Sequence, residues 1–569
     1  MALPEPTMRL LMPVLRHAAA LCGLALCLAS GASLAQISPE SARVIVKLKS
    51  QPAATDSTGA VAPQSPVQGL AHRLGVTMRE RAGPTERTHV VTAHGLDSRQ
   101  LAARLARDSE VEYAVPDERR HRLSAPNDPR YAAGLATPGG PASGQWYLRA
   151  PLDDAQSSIN VEGAWAVLGG QSRRIVVAVL DTGVRFDHPD LGRFGEGGNL
   201  LPGYDFVTDP FLDNDGTPGR DSDASDPGDW VSDADVLGDA NTVGCTLLDV
   251  ADSSWHGTQT AGLIGAVTHN ARGMAGLTGP GGNVLVLPVR VLGKCGGFDS
   301  DIIPAMRWAA GLNVPGVPSN PNPARVINLS LGGAGACGPA YRDAIREINR
   351  AGVVVVAAAG NTNGGAVNAP ANCPGVIGVA GLRQLGSKVG YSDLGPEIAL
   401  SAPAGNCVNL DGECLYPLLT TTNIGRTTPV AVDDAYTDGI NATAGTSFSA
   451  PLVAGTAALM LAVQPSFNPD EVRQLLRNSA RPFPTAGDAP EVGQCQAPTV
   501  DANGFAVDQF ECYCTTSTCG AGMLDASAAV ALAKTTEPAS VSGGGALGGV
   551  WLLALGLAVC WVSRTRRDV

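Results

Sequence analysis

The sequence predicts an α/β fold with a mainly parallel central sheet, and two patterns support it. Short, nearly continuous apolar runs at 174–180, 283–291, 325–330, 352–358 and 375–380 are typical of strands buried on both faces. Segments with helical spacing lie among them at 256–267, 301–310, 341–351 and 447–463. Strands that alternate with helices favour parallel pairing. A content of 44% hydrophobic and 16% charged residues agrees with a globular chain.

The first 35 residues are expected to be a signal peptide cleaved after Ala35. Arg9 and Arg16 precede an apolar run at 18–28, and small residues follow it. A buried helix is the alternative, and the order of charged, apolar and small residues disfavours it. The rest of the chain is therefore expected to be exported, to the cell surface, the periplasm or the medium.

Residues 36–123 are expected to form a small α+β unit. Residues 42–48 and 111–116 have strand patterns, and 98–108 have helical spacing. This unit contains 13 Lys and Arg against 10 Asp and Glu, whereas the whole chain carries a net charge of -13. The unit could therefore dock electrostatically on the acidic remainder. The overall acidity disfavours a nucleic-acid partner.

A core domain is expected at 124–534, followed by a linker at 535–545 and a tail at 546–569. The tail has an apolar stretch at 546–562, near the short limit of a membrane span, and then Arg564, Arg566 and Arg567. Such arginines hold their end of a span in the cytoplasm. With the glycines at 543–545, the tail resembles the GlyGly-CTERM sorting tails of some Gram-negative exoenzymes, which are clipped at the inner membrane. A permanent anchor is the alternative.

The cysteines indicate an oxidising compartment. Ten of the 13 lie between Cys245 and Cys519, and an even number in an exported chain favours disulfides. Spacing does not fix the pairing, but we expect Cys245–Cys295, Cys337–Cys373, Cys407–Cys414, and two pairs among Cys495, Cys512, Cys514 and Cys519. A zinc site in the last group is the alternative, and the lack of a nearby histidine disfavours it.

Three polar residues stand at predicted strand ends or helix starts, where sites of parallel sheets lie. Asp181 ends the run IVVAVL, His256 opens HGTQTAG, and Ser447 lies in GTSFSAP ahead of an apolar helix. Each alone has a structural explanation: a turn, a structural histidine and an N-cap. A helix start also stabilises negative charge that develops beside Ser447.

Together, the segments VAVLDTGV, HGTQTAG and GTSFSAPLVAG resemble the subtilisin family of serine peptidases across roughly 145–533, in the family's order Asp, His, Ser. The resemblance implies a three-layer subtilisin-like domain that hydrolyses peptide bonds through an acyl-enzyme. Ser447 would be the nucleophile, His256 its base and later the acid, and Asp181 the group that orients His256. Asn361, in VAAAGN, would stabilise the oxyanion together with the backbone N–H of Ser447.

The resemblance also implies partners. The run LSLGG resembles the family's edge segment, which pairs with polypeptide substrates as an added strand, so the expected binding residues are Leu329, Ser330, Leu331 and Gly332. A strand-end turn is the alternative. The segments RVIVKLK and VEYAVPD resemble the family's ferredoxin-like propeptide, an intramolecular inhibitor and folding aid that the enzyme cuts off itself. We expect that cut between Arg122 and Asn127, and a monomeric product.

Structural calcium is expected as a cofactor at two places. An acidic loop carries Asp213, Asp215, Asp221 and Asp223, and oxygen-rich loops of this kind suit Ca²⁺. It is not an EF-hand, because no Glu stands at the twelfth position, and a solvated acidic loop is the alternative. Asp190, in HPDL, matches a calcium ligand of the family, although the second ligand loop looks shortened around Asn270.

Two other functions compete with the peptidase. An α/β-hydrolase esterase requires the order Ser, acid, His and the motif G-x-S-x-G, but here Ser449 stands where that motif requires glycine. A catalytically inactive adhesin or binding module could use the same fold. The presence of all four expected polar residues disfavours that alternative, and reaction with a serine-directed fluorophosphonate would distinguish the two.

Overall fold

The computed structural model describes residues 42–49, 66–85, 87–117, 125–132, 143–169, 173–238, 244–406, 414–431, 435–486, 492–502 and 506–539. The predicted signal peptide, residues 122–124 of the predicted processing junction and the C-terminal tail lie outside these residues. The chain divides into two compact units, with the boundary between Arg120 and His121.

The N-terminal unit is an antiparallel sheet that packs on two helices. Its elements are β1 (Ala42–Leu48), α1 (Pro66–Leu74), β2 (Met78–Thr85), β3 (Thr88–Ala93), α2 (Ser98–Leu105) and β4 (Val111–Pro116). The strand order β2-β3-β1-β4 is that of ferredoxin-like folds. Val44 and Val46 of β1 point to the same face and share a buried core with Leu70 of α1 and Leu101 of α2.

A seven-stranded parallel sheet is the centre of the second unit. Its strands are β5 (Ile175–Asp181), β6 (Tyr204–Asp205), β7 (Val284–Arg290), β8 (Val326–Leu329), β9 (Val354–Ala358), β10 (Val376–Leu382) and β11 (Ile398–Pro403). Their order is β11-β10-β9-β8-β5-β7-β6, and all neighbouring pairs are parallel. The chain changes direction across the sheet between β5 and β8, and ligands of such sheets bind beyond the strand ends at that switch point.

Helices cover both faces of this sheet. The helices described in this unit are α3 (Val161–Leu168), α4 (Pro210–Asp213), α5 (Asp233–Leu237), α6 (His256–Gly265), α7 (Asp299–Ala309), α8 (Pro339–Arg350), α9 (Ser449–Val463), α10 (Pro469–Ser479) and α11 (Ala526–Thr535). Val177 and Val179 of β5 face a core shared with α6 and α9, whereas Ala178 and Leu180 face a core shared with α7 and α8. The predicted three-layer α/β fold is confirmed.

The helix that follows Ser447 lies inside the protein. The segment Thr446–Val463 is apolar and long enough to cross a membrane, but 89% of it is buried. Within the described part of the chain, no other helix meets that length and composition. Its burial against the central sheet identifies α9 as a core helix.

Disulfides are present, as the cysteine pattern predicted. The described residues include the pairs Cys245–Cys295, Cys337–Cys373, Cys495–Cys512 and Cys514–Cys519. Cys414 is also disulfide-bonded, and its predicted partner Cys407 lies outside the described residues. Because all four sulfurs of the last group are in S–S bonds, they are not available as zinc thiolates, and the zinc alternative is wrong.

Candidate active site

Asp181 and His256 meet at the carboxyl edge of the sheet. Asp181 is the last residue of β5 and only 1% exposed. His256 is the first residue of α6, and its Nδ1 lies 2.7 Å from Asp181 Oδ1. Trp255 turns the chain into this helix with a φ of 54°. The imidazole therefore has a fixed orientation, with Nδ1 towards the carboxylate.

The Asp181 carboxylate is held by two further donors. The backbone N–H of Thr182 donates to Oδ1 at 2.8 Å, and Thr260 Oγ1 donates to Oδ2 at 3.1 Å. Thr182 Oγ1 also accepts the backbone N–H of Gly257 at 3.0 Å. These contacts tie the end of β5 to the first turn of α6. The two threonines lie in the motifs DTG and HGTQTAG, but no sequence pattern indicated these roles.

The charge around His256 favours its protonated form. Burial of the ring lowers its pKa, but the charge of Asp181 and the hydrogen bond to it raise the pKa, with further contributions from Asp229 and Asp226. The net effect is a pKa above the ordinary value of 6.5. A proton taken up by His256 would therefore be stabilised by the surrounding carboxylates.

Ser447 lies beside this pair, in a 3₁₀ turn spanning Thr446–Phe448. It does not cap α9, because Phe448 occupies the cap position and no side chain caps that end. Ser447 Oγ donates to the backbone oxygen of Ser330 at 3.1 Å. Phe448 packs against the imidazole of His256, with 5.5 Å between ring centroids. The hydroxyl is thus close to the histidine segment but bonded to the end of β8.

Asn361 follows β9 and points its amide towards the Ser447 turn. Its Oδ1 accepts the backbone N–H of Thr446 at 2.9 Å and Thr446 Oγ1 at 3.0 Å. This anchorage fixes which end of the amide is the donor. Within the described residues, Asn361 Nδ2 has no hydrogen-bond partner, so it can donate to an oxygen anion. Thr446 was not singled out from the sequence, although it belongs to the motif GTS.

The predicted substrate segment starts at the switch point. Leu329 ends β8 with its side chain in the core, whereas Gly332 is exposed. Ser330 Oγ donates to the backbone oxygen of Ser447 at 2.6 Å, which fixes the segment beside the hydroxyl. The backbone groups of Leu331 and Gly332 have no hydrogen-bond partner within the described chain. An extended peptide could therefore pair with them.

Comparison with known proteins identifies the family of the domain that carries these residues. Residues 172–510, well over half of the chain, match the subtilase family. The chain belongs to the subtilase family. That match confirms the resemblance drawn from the three sequence motifs.

This subtilase is 39% identical over 409 residues to an extracellular protease of Xanthomonas campestris pv. campestris, a match that covers 72% of this chain and 61% of the relative. It is 34% identical to an extracellular basic protease of Dichelobacter nodosus, over 67% of this chain and 56% of the relative. A solved protease structure from Pseudoalteromonas arctica matches with a TM-score of 0.56 and 39% identity, over 72% of this chain and 100% of the other. The subtilase thus spans about three fifths of the length of these curated relatives.

The negative charge in one part of the predicted calcium loop is partly balanced by an arginine side chain. Asp213 lies with Asp205 and Asp215, and their carboxylate oxygens are within 4.8 Å of one another. Arg290, 1% exposed, donates to both Asp205 and Asp213. A metal ion there would meet a buried guanidinium. The cluster fits Ca²⁺ poorly for that reason, and a calcium role for Asp213 and Asp215 stays a prediction.

Asp221 and Asp223 lie further along the same loop. Their carboxylates accept the backbone N–H of Asp223 at 2.7 Å and of Ser225 at 3.0 Å, the pattern of Asx turns. In the described residues neither joins the Asp205 cluster. A calcium role for these two residues stays a prediction.

Asp190 has surroundings that fit a hard cation better. It is fully buried and accepts Asn270 Nδ2 at 2.7 Å and the backbone N–H of Met274 at 2.9 Å. Asp128, also buried, accepts the backbone N–H of Asn270 at 3.2 Å. Burial is the main cause that raises the pKa of Asp190 to about 6. The loop at Asn270 looked shortened in sequence, yet it reaches both carboxylates.

Proposed function

We propose that this subtilase is a serine endopeptidase that cleaves peptide bonds in proteins through an acyl-enzyme. The observation that carries the proposal is the hydrogen bond between Asp181 and His256 at the carboxyl ends of the strands. Ser447 and Asn361 are held at the same end of the sheet by their own hydrogen bonds. The names of the two relatives, extracellular protease and extracellular basic protease, support the same activity.

In the first half of the proposed reaction, Ser447 Oγ turns from the Ser330 carbonyl to Nε2 of His256. His256 takes the hydroxyl proton as Oγ attacks the substrate carbonyl carbon, and Asp181 stabilises the imidazolium. The resulting oxyanion accepts hydrogen bonds from Asn361 Nδ2 and from the backbone N–H of Ser447. Collapse of this intermediate breaks the C–N bond, and His256 passes its proton to the leaving amine.

Water reverses these roles in the second half. His256 takes a proton from the water that attacks the acyl carbon, the same two donors hold the new oxyanion, and Ser447 Oγ leaves with the proton from His256. Polypeptide chains fit this site because the backbone groups of Leu331 and Gly332 can pair with an extended segment. Cleavage would fall within chains, as expected of a strand-binding cleft.

Fluorophosphonate labelling tests the proposal directly, because only an activated serine reacts quickly. We expect one adduct per molecule, located at Ser447 by peptide mass spectrometry, and none on Ser447→Ala or His256→Ala. Unreactive wild-type protein that is folded would point to the inactive binding module. Hydrolysis of esters without any cleavage of protein substrates would point to an esterase.

The N-terminal unit is proposed to be an inhibitory propeptide removed by the enzyme itself. The boundary between the two units falls after Arg120, just before the expected cut between Arg122 and Asn127. Ser447→Ala should accumulate as uncut precursor, with its mass measured intact. Normal cleavage of purified Ser447→Ala protein would show that another protease performs the processing.

We also propose export of this subtilase, with its signal peptide removed after Ala35 and the 546–569 tail retained in or clipped at the inner membrane. The disulfides of the described residues and the extracellular relatives support an oxidising destination. Mass spectrometry of the medium and of membranes gives both termini. Light scattering of the secreted form tests the expected monomer.

Structural calcium is proposed at Asp128, Asp190 and Asn270. The support is chemical: two buried carboxylates supply hard oxygen ligands, and Asn270, whose Nδ2 now donates to Asp190, would turn its amide oxygen towards the ion. No Lys or Arg ion pair with either carboxylate is present in the described part of the chain. Bound calcium would supply the missing positive charge.

A further inference from the structure

Asp393 is a buried carboxylate that none of the proposed catalytic steps uses. It is 0% exposed and lies in the connection between β10 and β11. A charged group in such a place is costly unless other groups bind it. Its partners therefore indicate what it is for.

Two partners of Asp393 flank Asn361 in the chain, one bound by the carboxylate and one by the backbone N–H. Asp393 Oδ1 accepts the backbone N–H of Thr362 at 2.8 Å and Thr362 Oγ1 at 2.7 Å. The backbone N–H of Asp393 donates to the carbonyl oxygen of Gly360 at 3.0 Å. A third N–H, from Gly365, reaches the same Oδ1 at 3.1 Å. One residue thus holds the chain immediately before and immediately after Asn361.

The fit between Asp393 and this turn leaves no spare room. Gly360 has a φ of 118°, and a Cβ there would collide with Asp393 Oδ2 and with the amide of Asn368. The backbone can therefore approach the carboxylate only because residue 360 is glycine. The turn that contains Asn361 therefore packs directly against Asp393.

Asn361 is consequently fixed at two points. Thr446 binds the far end of its side chain through Oδ1, and Asp393 binds the backbone from which the side chain projects. An oxyanion donor must lie about 2.7–3.1 Å from an atom that carries charge only in the transition state. The position of Nδ2 therefore depends on the backbone anchor as well as on the side-chain anchor.

We infer that Asp393 is a positioning residue for the oxyanion hole and acts on the reaction through Asn361, a role that rests on the proposed peptidase function. The inference predicts that Asp393 matters to the transition state and little to substrate binding. It also predicts that Asp393 loses its importance when the Asn361 amide is removed.

A double-mutant cycle with Asp393→Ala and Asn361→Ala tests this. The readouts are kcat and KM on a peptide anilide, and the Ki of a peptide boronate of the same sequence, which mimics the tetrahedral intermediate. Displacement of a catalytic group costs up to about 100-fold, so we expect Asp393→Ala to lower kcat roughly 10- to 100-fold. The boronate Ki should rise by a similar factor and KM should stay nearly constant. On the Asn361→Ala background, the extra loss should be less than about twofold.

Two further variants separate positioning from stability. Asp393→Asn keeps an oxygen that can accept from Thr362, so it should retain most of the activity. Asp301→Ala is the matched control, because the buried Asp301 accepts the backbone N–H and Oγ1 of Thr208 at 3.0 Å, as Asp393 does with Thr362, but does not touch Asn361. It should lower the unfolding temperature and leave kcat and the boronate Ki unchanged.

Folding of Asp393→Ala is checked by its unfolding temperature, because the substitution also removes a charge that stabilises the buried ammonium of Lys388. If that variant does not fold, Thr362→Val removes one of the contacts to Asp393 and should show a smaller loss of kcat that again vanishes with Asn361→Ala. Equal losses with and without Asn361 would overturn the inference. Wild-type protein that fails to react with fluorophosphonate would instead overturn the proposed function.

Discussion

His256 must lose its proton before it can act as a base, so its pKa sets the acid limit of the reaction. Neighbouring carboxylates raise that pKa above 6.5, with Asp181 in contact and Asp229 and Asp226 further away. The Asp229 carboxylate accepts the backbone N–H and the Oγ of Ser254, both at 2.7 Å. Asp229 makes no hydrogen bond to the imidazole. It therefore influences His256 through charge.

Asp229→Asn should shift the acid limb of kcat/KM to lower pH. Removal of a negative charge destabilises the imidazolium, lowers the pKa of His256 and leaves more neutral base at a given acidic pH. The plateau at high pH should change little, because Asp181 still orients the ring. The check is a pH–rate profile at low and high salt, with Asp470→Asn, an exposed acid on α10, as the control. An unchanged or upward shift would contradict this account.

Asn361→Ala should lower kcat by about 100- to 1,000-fold with little change in KM, because the amide binds an oxyanion that exists only during the reaction. That range is the loss measured when the matching oxyanion-hole asparagine is removed from subtilisin, a relative of this chain. Steady-state kinetics on a peptide anilide give both constants. A rise in KM at constant kcat would place Asn361 in substrate binding instead.

The junction of β5 and α6 decides whether Asp181 and His256 meet. Gly257, the second residue of α6, packs so closely on the end of β5 that a Cβ there would collide with the carbonyl oxygen of Gly183. Glycine at this position lets the helix start come within hydrogen-bonding distance of the strand end.

Gly257→Ala should therefore move His256 away from Asp181. Displacements of about 1 Å can cost about 100-fold in rate, and we expect a loss of kcat of that order. The pKa of His256 should also fall towards its ordinary value, which a shifted acid limb would report. Gly265→Ala, at the other end of the same helix, is the control, because it meets only a side chain of Val286. Equal effects of both variants would mean general destabilisation.

Elements with a strong local pattern were predictable from sequence, and those defined by tertiary contacts were not. The runs at 174–180 and 283–291 became β5 and β7 because continuous apolar residues suit a doubly covered sheet. The two-residue strand Tyr204–Asp205 has no such pattern and joins the sheet through its pairing with β7. No sequence pattern marks Asp393 in the segment YSDLG, since its contacts with Thr362 come from another part of the chain.

The cysteine-rich segment at 495–519 packs beside the loop that follows Asn361. Its disulfide Cys495–Cys512 closes a stretch with a sequence separation of 17. Within that stretch, the backbone N–H of Gln509 donates to the carbonyl oxygen of Asn363 at 2.6 Å. The segment thus rests on the loop that begins at Asn361.

Replacement of Cys495 and Cys512 by serine should lower the free energy of unfolding by about 3 kcal/mol, the value expected for a closed loop of roughly this length. The measurement is a guanidinium unfolding curve in the Ser447→Ala background, which prevents self-digestion. The second pair, Cys514–Cys519, closes a separation of only 5 residues and is the control. Because a shorter loop constrains the unfolded chain less, its removal should cost less.

Across the whole molecule, the proposed calcium site links distant parts of the second unit. Asp128 comes from the start of that unit, Asp190 from the loop after β5, and Asn270 from the loop after α6. Because these segments enclose two buried carboxylates, a bound cation would hold them against one another. Such a link acts on the folded state alone and so adds to stability by mass action.

Chelation of calcium should therefore lower the unfolding temperature of Ser447→Ala protein. A ligand at 100 times its Kd contributes about 2.7 kcal/mol to the free energy of unfolding, so the shift should be easy to see by calorimetry. Asp190→Asn should abolish the response to calcium. Asp213→Asn should destabilise the protein, because it disturbs Arg290, and should keep the change of unfolding temperature with calcium. Asp223→Asn tests whether the rest of the acidic loop takes part in calcium binding. An unfolding temperature that is indifferent to both calcium and chelator would mean that Asn270 and Met274 alone compensate the carboxylate of Asp190.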